Sequence, residues 1–149
     1  MKRVYISLSN IFGTRSASFD FREFPLISIV GKNGAGKSSI PDGFLLALTG
    51  EPSPARRIKG QDIVTTGYKE GNVAFVFEEN GNTYRVSRRY KRGKSSVIHE
   101  AVLEKYAGKI ERENLDSVSW EGIASGANDV SETVARVLCP WKGMADRLE

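Results

Sequence analysis

The chain contains very few of the cysteine and histidine residues on which many metalloenzymes and secreted proteins depend. Its 149 residues include one cysteine, Cys139, and one histidine, His99. A single cysteine excludes an internal disulfide and any metal site built from several thiolates. A single histidine excludes a multi-histidine metal centre and argues against a Ser-His-Asp triad. We therefore interpret His99 as an ordinary strand residue.

Long apolar runs are also missing. The sequence begins with Met1, Lys2 and Arg3, but Ser7 and Ser9 interrupt the apolar stretch too early for the core of a signal peptide. No run approaches the roughly 20 apolar residues that a membrane-spanning helix needs. We expect an intracellular protein of the cytoplasm or nucleoid (the nucleus in a eukaryote), with no membrane partner.

The composition is that of an ordinary folded domain. Hydrophobic residues make up 40% and charged residues 27% of the chain, and the formal net charge is +4. These values predict one globular domain over residues 1–149. The small positive excess is compatible with a polyanionic partner such as a nucleotide or nucleic acid, but it does not require one.

The hydrophobic pattern predicts an α/β domain in which an antiparallel β-meander lies beside one strand and its following helix. Asn80-Gly81 predicts a tight hairpin turn, and Gly50 is a suitable residue to end the first helix. The predicted strands cover residues 4–8, 17–21, 26–30, 72–79, 83–90 and 96–105. The predicted helices run from Ser38 to Gly50, and from a cap at Asn128 or Asp129 to Pro140, while Gly122 and Gly126 mark a loop.

A glycine-rich segment between the strand at 26–30 and the first helix carries the clearest chemistry. Residues 31–38 fit the P-loop pattern G-x-x-x-x-G-K-[ST] at every required position. In such a loop the backbone amides and the helix N-terminus surround phosphate oxygens, the lysine binds the β and γ phosphates, and the serine hydroxyl binds Mg²⁺. The predicted ATP-binding residues are Gly31, Asn33, Gly34, Ala35, Gly36, Lys37 and Ser38, with Ser38 as the metal ligand.

No catalytic residue is predicted. The apolar strand at 73–77 ends in Glu78 and Glu79, as a Walker B strand ends in acids. It lacks the Asp that usually orders Mg²⁺ and runs directly into the hairpin turn. We interpret it as the tip of a hairpin strand.

A basic cluster lies on the strand and turn after that hairpin. Two interpretations stay open for it, a DNA-phosphate surface or a solvated hairpin. A second, smaller cluster of Arg56, Arg57 and Lys59 is interpreted as solvated surface, and Trp120 and Trp141 as packing residues. The first cluster contains Arg85 and the candidate DNA contacts Arg88, Arg89, Lys91, Arg92 and Lys94.

With these motifs in order, residues 1–138 resemble the N-terminal lobe of the SbcC family (the Rad-fifty type), ATPases of the structural-maintenance-of-chromosomes superfamily. Besides the loop, the segment 62–67 and the strand at 82–89, with its G-x-x-Y-x-[IV]-x-R pattern, carry the resemblance. It implies a P-loop NTPase fold of the ABC type, two heads that close over ATP and Mg²⁺, a nuclease partner of the SbcD or Mre-eleven type, and DNA-end processing in double-strand-break repair. It also implies that the segment from Asn33 to Ser39 wraps the phosphates. The residues it places near the base and ribose are Thr14, Arg15, Val64, Thr65 and Thr66.

The sequence departs from that family where catalysis would be completed. After the second helix it reads Cys139-Pro140-Trp141 where the glutamine loop is expected, and Pro41 stands in place of an aliphatic residue. The signature motif, the Walker B acids and the coiled coil do not occur in these 149 residues. We expect a fragment or truncated product that binds nucleotide and hydrolyses it very slowly. Alternatives are a small P-loop kinase, a fragment of a transport-type ABC ATPase, and a DNA-binding module with a vestigial P-loop.

Overall fold

A computed structural model describes residues 1–23, 39–56, 58 and 60–139. The described residues form six strands, two α-helices and two short 3₁₀ turns. The strands are β1 (Lys2–Ile11), β2 (Thr14–Asp20), β3 (Glu70–Glu79), β4 (Asn82–Arg92), β5 (Val97–Tyr106) and β6 (Glu121–Ser125). The helices are α1 (Ser39–Thr49) and α2 (Ala127–Leu138), and the 3₁₀ turns are Pro54–Arg56 and Gly60–Ile63.

The strands form one antiparallel sheet in the order β2-β1-β3-β4-β5-β6. β3, β4 and β5 follow one another as the predicted meander, and β1 pairs with β2. Because successive side chains of a strand point to opposite faces, each strand contributes alternate residues to the core. The α/β prediction and the antiparallel meander are confirmed. The predicted strand at 26–30 and the P-loop at 31–38 lie outside the described residues, as do Pro140 and Trp141.

Both helices pack on the apolar face of the sheet. Leu46 and Ala47 of α1 and Val130 and Val134 of α2 are buried in the same core cluster. The strands contribute Ile6, Leu8, Val73, Phe75, Phe77, Tyr84, Val86, Ala101 and Leu103 to it. The helix that follows the P-loop is therefore fixed to the centre of the sheet by its own apolar stripe.

Two predictions at the C-terminal side are wrong. The segment with Gly122 is not a loop but the edge strand β6, which pairs with β5 next to a register shift at Leu103. A glycine in a strand often marks a bulge, and Gly122 pairs with Glu104 directly after that shift. Helix α2 begins at Ala127, and neither Asn128 nor Asp129 caps it. Gly126 stands at the N-cap, with no capping side chain among the described residues.

Two glycines of positive φ differ in what surrounds them, and this gives a stability prediction. Gly50 ends α1 with φ +84°, and a Cβ there would lie 2.7 Å from Nη1 of Arg88. Gly81 has φ +78° in the predicted hairpin turn, and a Cβ there would meet nothing within 4 Å. We expect Gly81→Ala to lower the free energy of unfolding by about 1 kcal/mol, from φ strain alone. We expect Gly50→Ala to lower it by roughly 3 kcal/mol, because steric conflict is added to that strain. Urea denaturation of both variants checks this, and equal losses would contradict it.

Candidate functional site

The described part of the site begins at Ser39, the residue directly after the P-loop motif. Ser39 is the first residue of α1, is buried, and donates a hydrogen bond from its hydroxyl to the Phe12 carbonyl at 3.1 Å. Because α1 begins at Ser39, the positive end of the helix dipole lies at the residue that directly follows the P-loop motif in the sequence. The other predicted phosphate-binding residues, 31 and 33–38, lie outside the described residues.

The turn between β1 and β2 connects the start of α1 to the segment at 63–65. The Phe12 amide donates to the Ile63 carbonyl at 3.0 Å, and the Thr65 amide donates to the Asn10 carbonyl at 2.9 Å. The Gly13 amide donates to Oγ1 of Thr65 at 3.0 Å. Three segments that are distant in sequence therefore meet at one end of the sheet.

The residues predicted to approach the base and ribose lie within these segments. Thr14 and Arg15 follow the turn directly, and Arg15 is exposed. Thr65 is half-buried and Thr66 is exposed, whereas Val64 is 1% exposed and bridges Ile11. The structure brings the two predicted segments together. It leaves Val64 as a core residue that could meet a ligand only through its backbone.

Arg56 is the side chain at this end of the sheet that sequence reasoning missed. Its guanidinium lies 4.2 Å from the ring centroid of Phe12 and forms an ion pair with Asp42 in the first turn of α1. One of its nitrogens is 3.5 Å from Oγ of Ser39. The interpretation of this residue as solvated surface is wrong. The sequence contains one signal for this contact. Asp42 lies in the first turn of α1, and its negative charge attracts a basic side chain.

Arg88 is a structural residue, which corrects its prediction as a DNA contact. It is 2% exposed, and its Nε donates to the Ala47 carbonyl at 2.7 Å. Burial lowers the pKa of its guanidinium, although an arginine stays protonated in a protein. A fully buried side chain on the helix face of the sheet cannot reach a DNA backbone.

Arg92 is also used within the fold. Its guanidinium donates to the Tyr68 carbonyl at 3.2 Å and to the Val64 carbonyl at 2.5 Å. These bonds connect the end of β4 to the segment that runs past Thr65. Their effect on the candidate site is to fix the position of that segment.

Three cations of the basic cluster remain on the surface. Arg89 and Lys91 flank Glu100 of the neighbouring strand at 3.8 Å and 3.4 Å. Lys94 is exposed in the turn after β4. Exposed ion pairs of this kind are weak, so both side chains can exchange Glu100 for another anion.

His99 lies on β5, as interpreted, but its surroundings are not those of an ordinary strand residue. Its ring stacks on Tyr90 at 4.3 Å between centroids, and its Nε2 lies 3.3 Å from Nη1 of Arg88. Burial, together with the Arg88 charge, lowers the pKa of His99 to about 4. The unfolded chain therefore binds a proton more readily. The part of the folding free energy that depends on a neutral His99 is fully present above pH 6.5, and it is lost as the pH falls towards 4.

The second of the two acids after the strand at 73–77 has a structural role. Glu79 ends β3 and forms an ion pair with the N-terminal ammonium at 2.9 Å, and the chain then turns at Asn80. This confirms the hairpin interpretation of the segment.

Within the described residues, no group of three or more histidine, cysteine or acidic side chains is placed to hold a metal ion. No helix of the same residues is both long and apolar enough to cross a bilayer.

The architecture and the loop motif agree with a comparison to known families. A family model described as an AAA domain matches residues 5–137. The chain belongs to this AAA-domain family. The match extends from β1 almost to the end of α2, so it includes the P-loop motif and every described element of the sheet.

Among curated proteins, the AAA domain is similar to SbcC and Rad50 ATPases. It is 32% identical over 131 residues to the SbcC component of the SbcCD nuclease of Deinococcus radiodurans, which covers 87% of the chain and 14% of that relative. It is 31% identical over 154 residues to the SbcC component from Lactococcus lactis, covering 93% of the chain and 14% of the relative. It is 39% identical over 84 residues to the DNA double-strand break repair Rad50 ATPase of Sulfolobus acidocaldarius, covering 56% of the chain and 9% of the relative. The chain therefore spans only a small part of each relative's length.

Proposed function

We propose that this chain binds ATP and Mg²⁺ at residues 31–39 as the N-terminal lobe of an ABC-type ATPase head. The observation that carries the proposal is the junction at Ser39. An 11-residue helix begins directly after a complete P-loop motif and is fixed at that point to the β1–β2 turn. A helix N-terminus at the end of such a loop favours a phosphate group.

The described residues fit this ligand beside the start of α1. The exposed residues Arg15 and Thr66 lie in segments that meet next to the helix start, where a base and ribose would extend from the phosphates. As the P-loop pattern assigns it, a Mg²⁺ ion would be held by the Ser38 hydroxyl and by phosphate oxygens, and it would neutralise charge between the β and γ phosphates.

In the assembly that we propose, the lobe belongs to a DNA double-strand-break repair ATPase. The similarity to a component of the SbcCD nuclease and to a DNA double-strand break repair ATPase supports this assignment. A second head would close over the bound ATP, and a nuclease of the SbcD or Mre-eleven type would act on the DNA. ATP binding would then favour the closed pair of heads, because only that state contacts the nucleotide from both sides.

Titration of the purified chain with a fluorescent ATP analogue tests the site. We expect saturable binding that is strengthened by Mg²⁺ and is competed by ATP. A chain that is folded by circular dichroism but does not bind the analogue at millimolar concentration would refute the proposal. Transfer of phosphate from ATP to a nucleoside would favour the small kinase instead.

A DNA surface at the end of β4 is proposed for Arg89, Lys91 and Lys94. Each phosphate contact changes the slope of log K against log salt concentration by about 0.9 on duplex DNA. We expect Lys94→Ala to reduce that slope by about this amount. Fluorescence anisotropy with a labelled duplex at several salt concentrations measures it, with and without Mg-ATP.

The matched control is Lys109→Ala, which removes the same charge from an exposed loop position. Equal slopes for wild type and Lys94→Ala would remove Lys94 from the surface. Salt-dependent binding that ignores ATP would favour the DNA-binding module with a vestigial P-loop.

A further inference from the structure

The C-terminal end of α1 is capped by side chains from other elements. The last carbonyls of a helix have no partner within the helix, and here a buried arginine supplies two donors. Nε of Arg88 donates to the Ala47 carbonyl at 2.7 Å, and Nη2 lies 3.4 Å from the Leu48 carbonyl. Tyr90, two residues further along β4, donates its hydroxyl to the Gly50 carbonyl at 2.8 Å. The negative end of the α1 dipole therefore rests on a guanidinium.

The same guanidinium also contacts the second helix. Nη2 of Arg88 donates to Oγ of Ser131, which belongs to α2, at 3.1 Å. That hydroxyl lies 3.0 Å from the Thr49 carbonyl of α1 and 2.9 Å from the Ala127 carbonyl of its own helix. One buried side chain on β4 therefore bonds both helices at the same place.

This contact is closely packed. Arg88 is 2% exposed. A single methyl group added at Gly50 would come within 2.7 Å of its Nη1 and 3.2 Å of the Ser131 hydroxyl. Packed interiors transmit displacement because they do not compress. A shift of α1 along its axis therefore reaches Ser131 directly.

The other end of α1 is the end that carries the nucleotide loop. The helix has 11 residues and so is about 16 Å long. A short helix moves as a rigid rod, so a movement at Ser39 appears at Ala47 with similar size. A bound polyphosphate would lie at the positive end of the α1 dipole, and the Arg88 guanidinium lies at its negative end.

We propose that Arg88 and Ser131 form a positioning pair that makes α1 and α2 respond together when ATP binds. The inference rests on the proposed nucleotide site at the start of α1. Neither residue touches a substrate. Their role is to pass the position of α1 to α2, through the Arg88 bonds to Ala47 and Ser131 and through the Ser131 hydroxyl beside the Thr49 carbonyl.

Amide hydrogen exchange of α2, measured with and without Mg-ATP on the purified chain, tests this role. In wild type we expect the α2 amides to exchange at least about threefold more slowly when ATP is bound, because the helix is restrained at Ser131. In Ser131→Ala, which keeps the Arg88 bonds to α1, we expect ATP affinity to stay within about twofold of wild type and the slowing in α2 to disappear.

The matched control is Thr133→Ala, on the same helix. Its hydroxyl donates to the Asp129 carbonyl at 2.7 Å, within α2. In this variant the α2 amides should still exchange more slowly when ATP is bound. If the loss of any hydroxyl simply loosened α2, the slowing would disappear in this variant as well. If Ser131→Ala binds ATP and α2 responds as in wild type, the coupling is refuted and the proposed function stands. If wild type binds no ATP, both fail.

Discussion

Lys37→Ala removes measurable ATP binding while the chain stays folded. In the P-loop pattern this lysine supplies the point charge that binds the β and γ phosphates. A hydrogen bond to a charged group contributes about 1.5–3 kcal/mol. Loss of contacts to two phosphates should therefore weaken binding by about 100-fold or more. Calorimetric titration with Mg-ATP measures the affinity, and circular dichroism and thermal unfolding report the fold.

Lys109→Ala is the control for that experiment, because it removes an equal charge from an exposed loop position. It should bind ATP as wild type does. Undiminished affinity in Lys37→Ala would refute the site, since the pattern assigns the binding of those phosphates to this lysine. A loss in both variants would mean that net charge, not the loop, governs binding.

Arg88→Met causes the second large effect, a loss of stability. Methionine fills similar space but leaves the buried Ala47 carbonyl and the half-buried Leu48 carbonyl without the arginine donors. We expect the free energy of unfolding to fall by about 3 kcal/mol, and Tm to fall by roughly 6–12 °C. The control Arg89→Met changes an exposed neighbour that lies 3.8 Å from Glu100. It should shift stability by no more than about 0.5 kcal/mol.

The single histidine gives a second measurement on the same variant. Burial is the main cause of the low pKa of His99, and the Arg88 charge is the smaller one. In Arg88→Met we therefore expect the pKa of His99 to rise from about 4 and to stay below 6.5. One imidazole signal followed by NMR against pH reports this without ambiguity. An unchanged pKa would mean that Arg88 does not lie beside His99 in solution.

Local patterns explain why so much of the sheet could be predicted. The Asn80-Gly81 turn needs two residues of positive φ, and both have it, at 51° and 78°. Alternating apolar residues then specify the register of β3 and β4 on either side. The end of α1 at Gly50 follows from the same kind of local rule. Each of these signals is contained in a short stretch of neighbouring residues.

The errors lie where distant residues decide the outcome. Arg88 reads as one more cation of a basic strand, yet its partner Ala47 is 41 residues away in sequence. Arg56 reads as surface charge, yet it covers Phe12 and pairs with Asp42. Gly122 reads as a loop residue because the neighbouring strand that pairs with it is not visible in its own segment.

Short-range sterics and periodicity specify the hairpin and the division of apolar residues between the faces of strands and helices, and the P-loop pattern is contained in eight consecutive residues, so all three can be read from the chain alone. The contact between Gly13 and Thr65 across 52 residues, and the burial of the Arg88 guanidinium against two helices, arise only in the assembled fold. A buried polar group is stable only where its partners converge. That convergence depends on how the whole sheet is assembled.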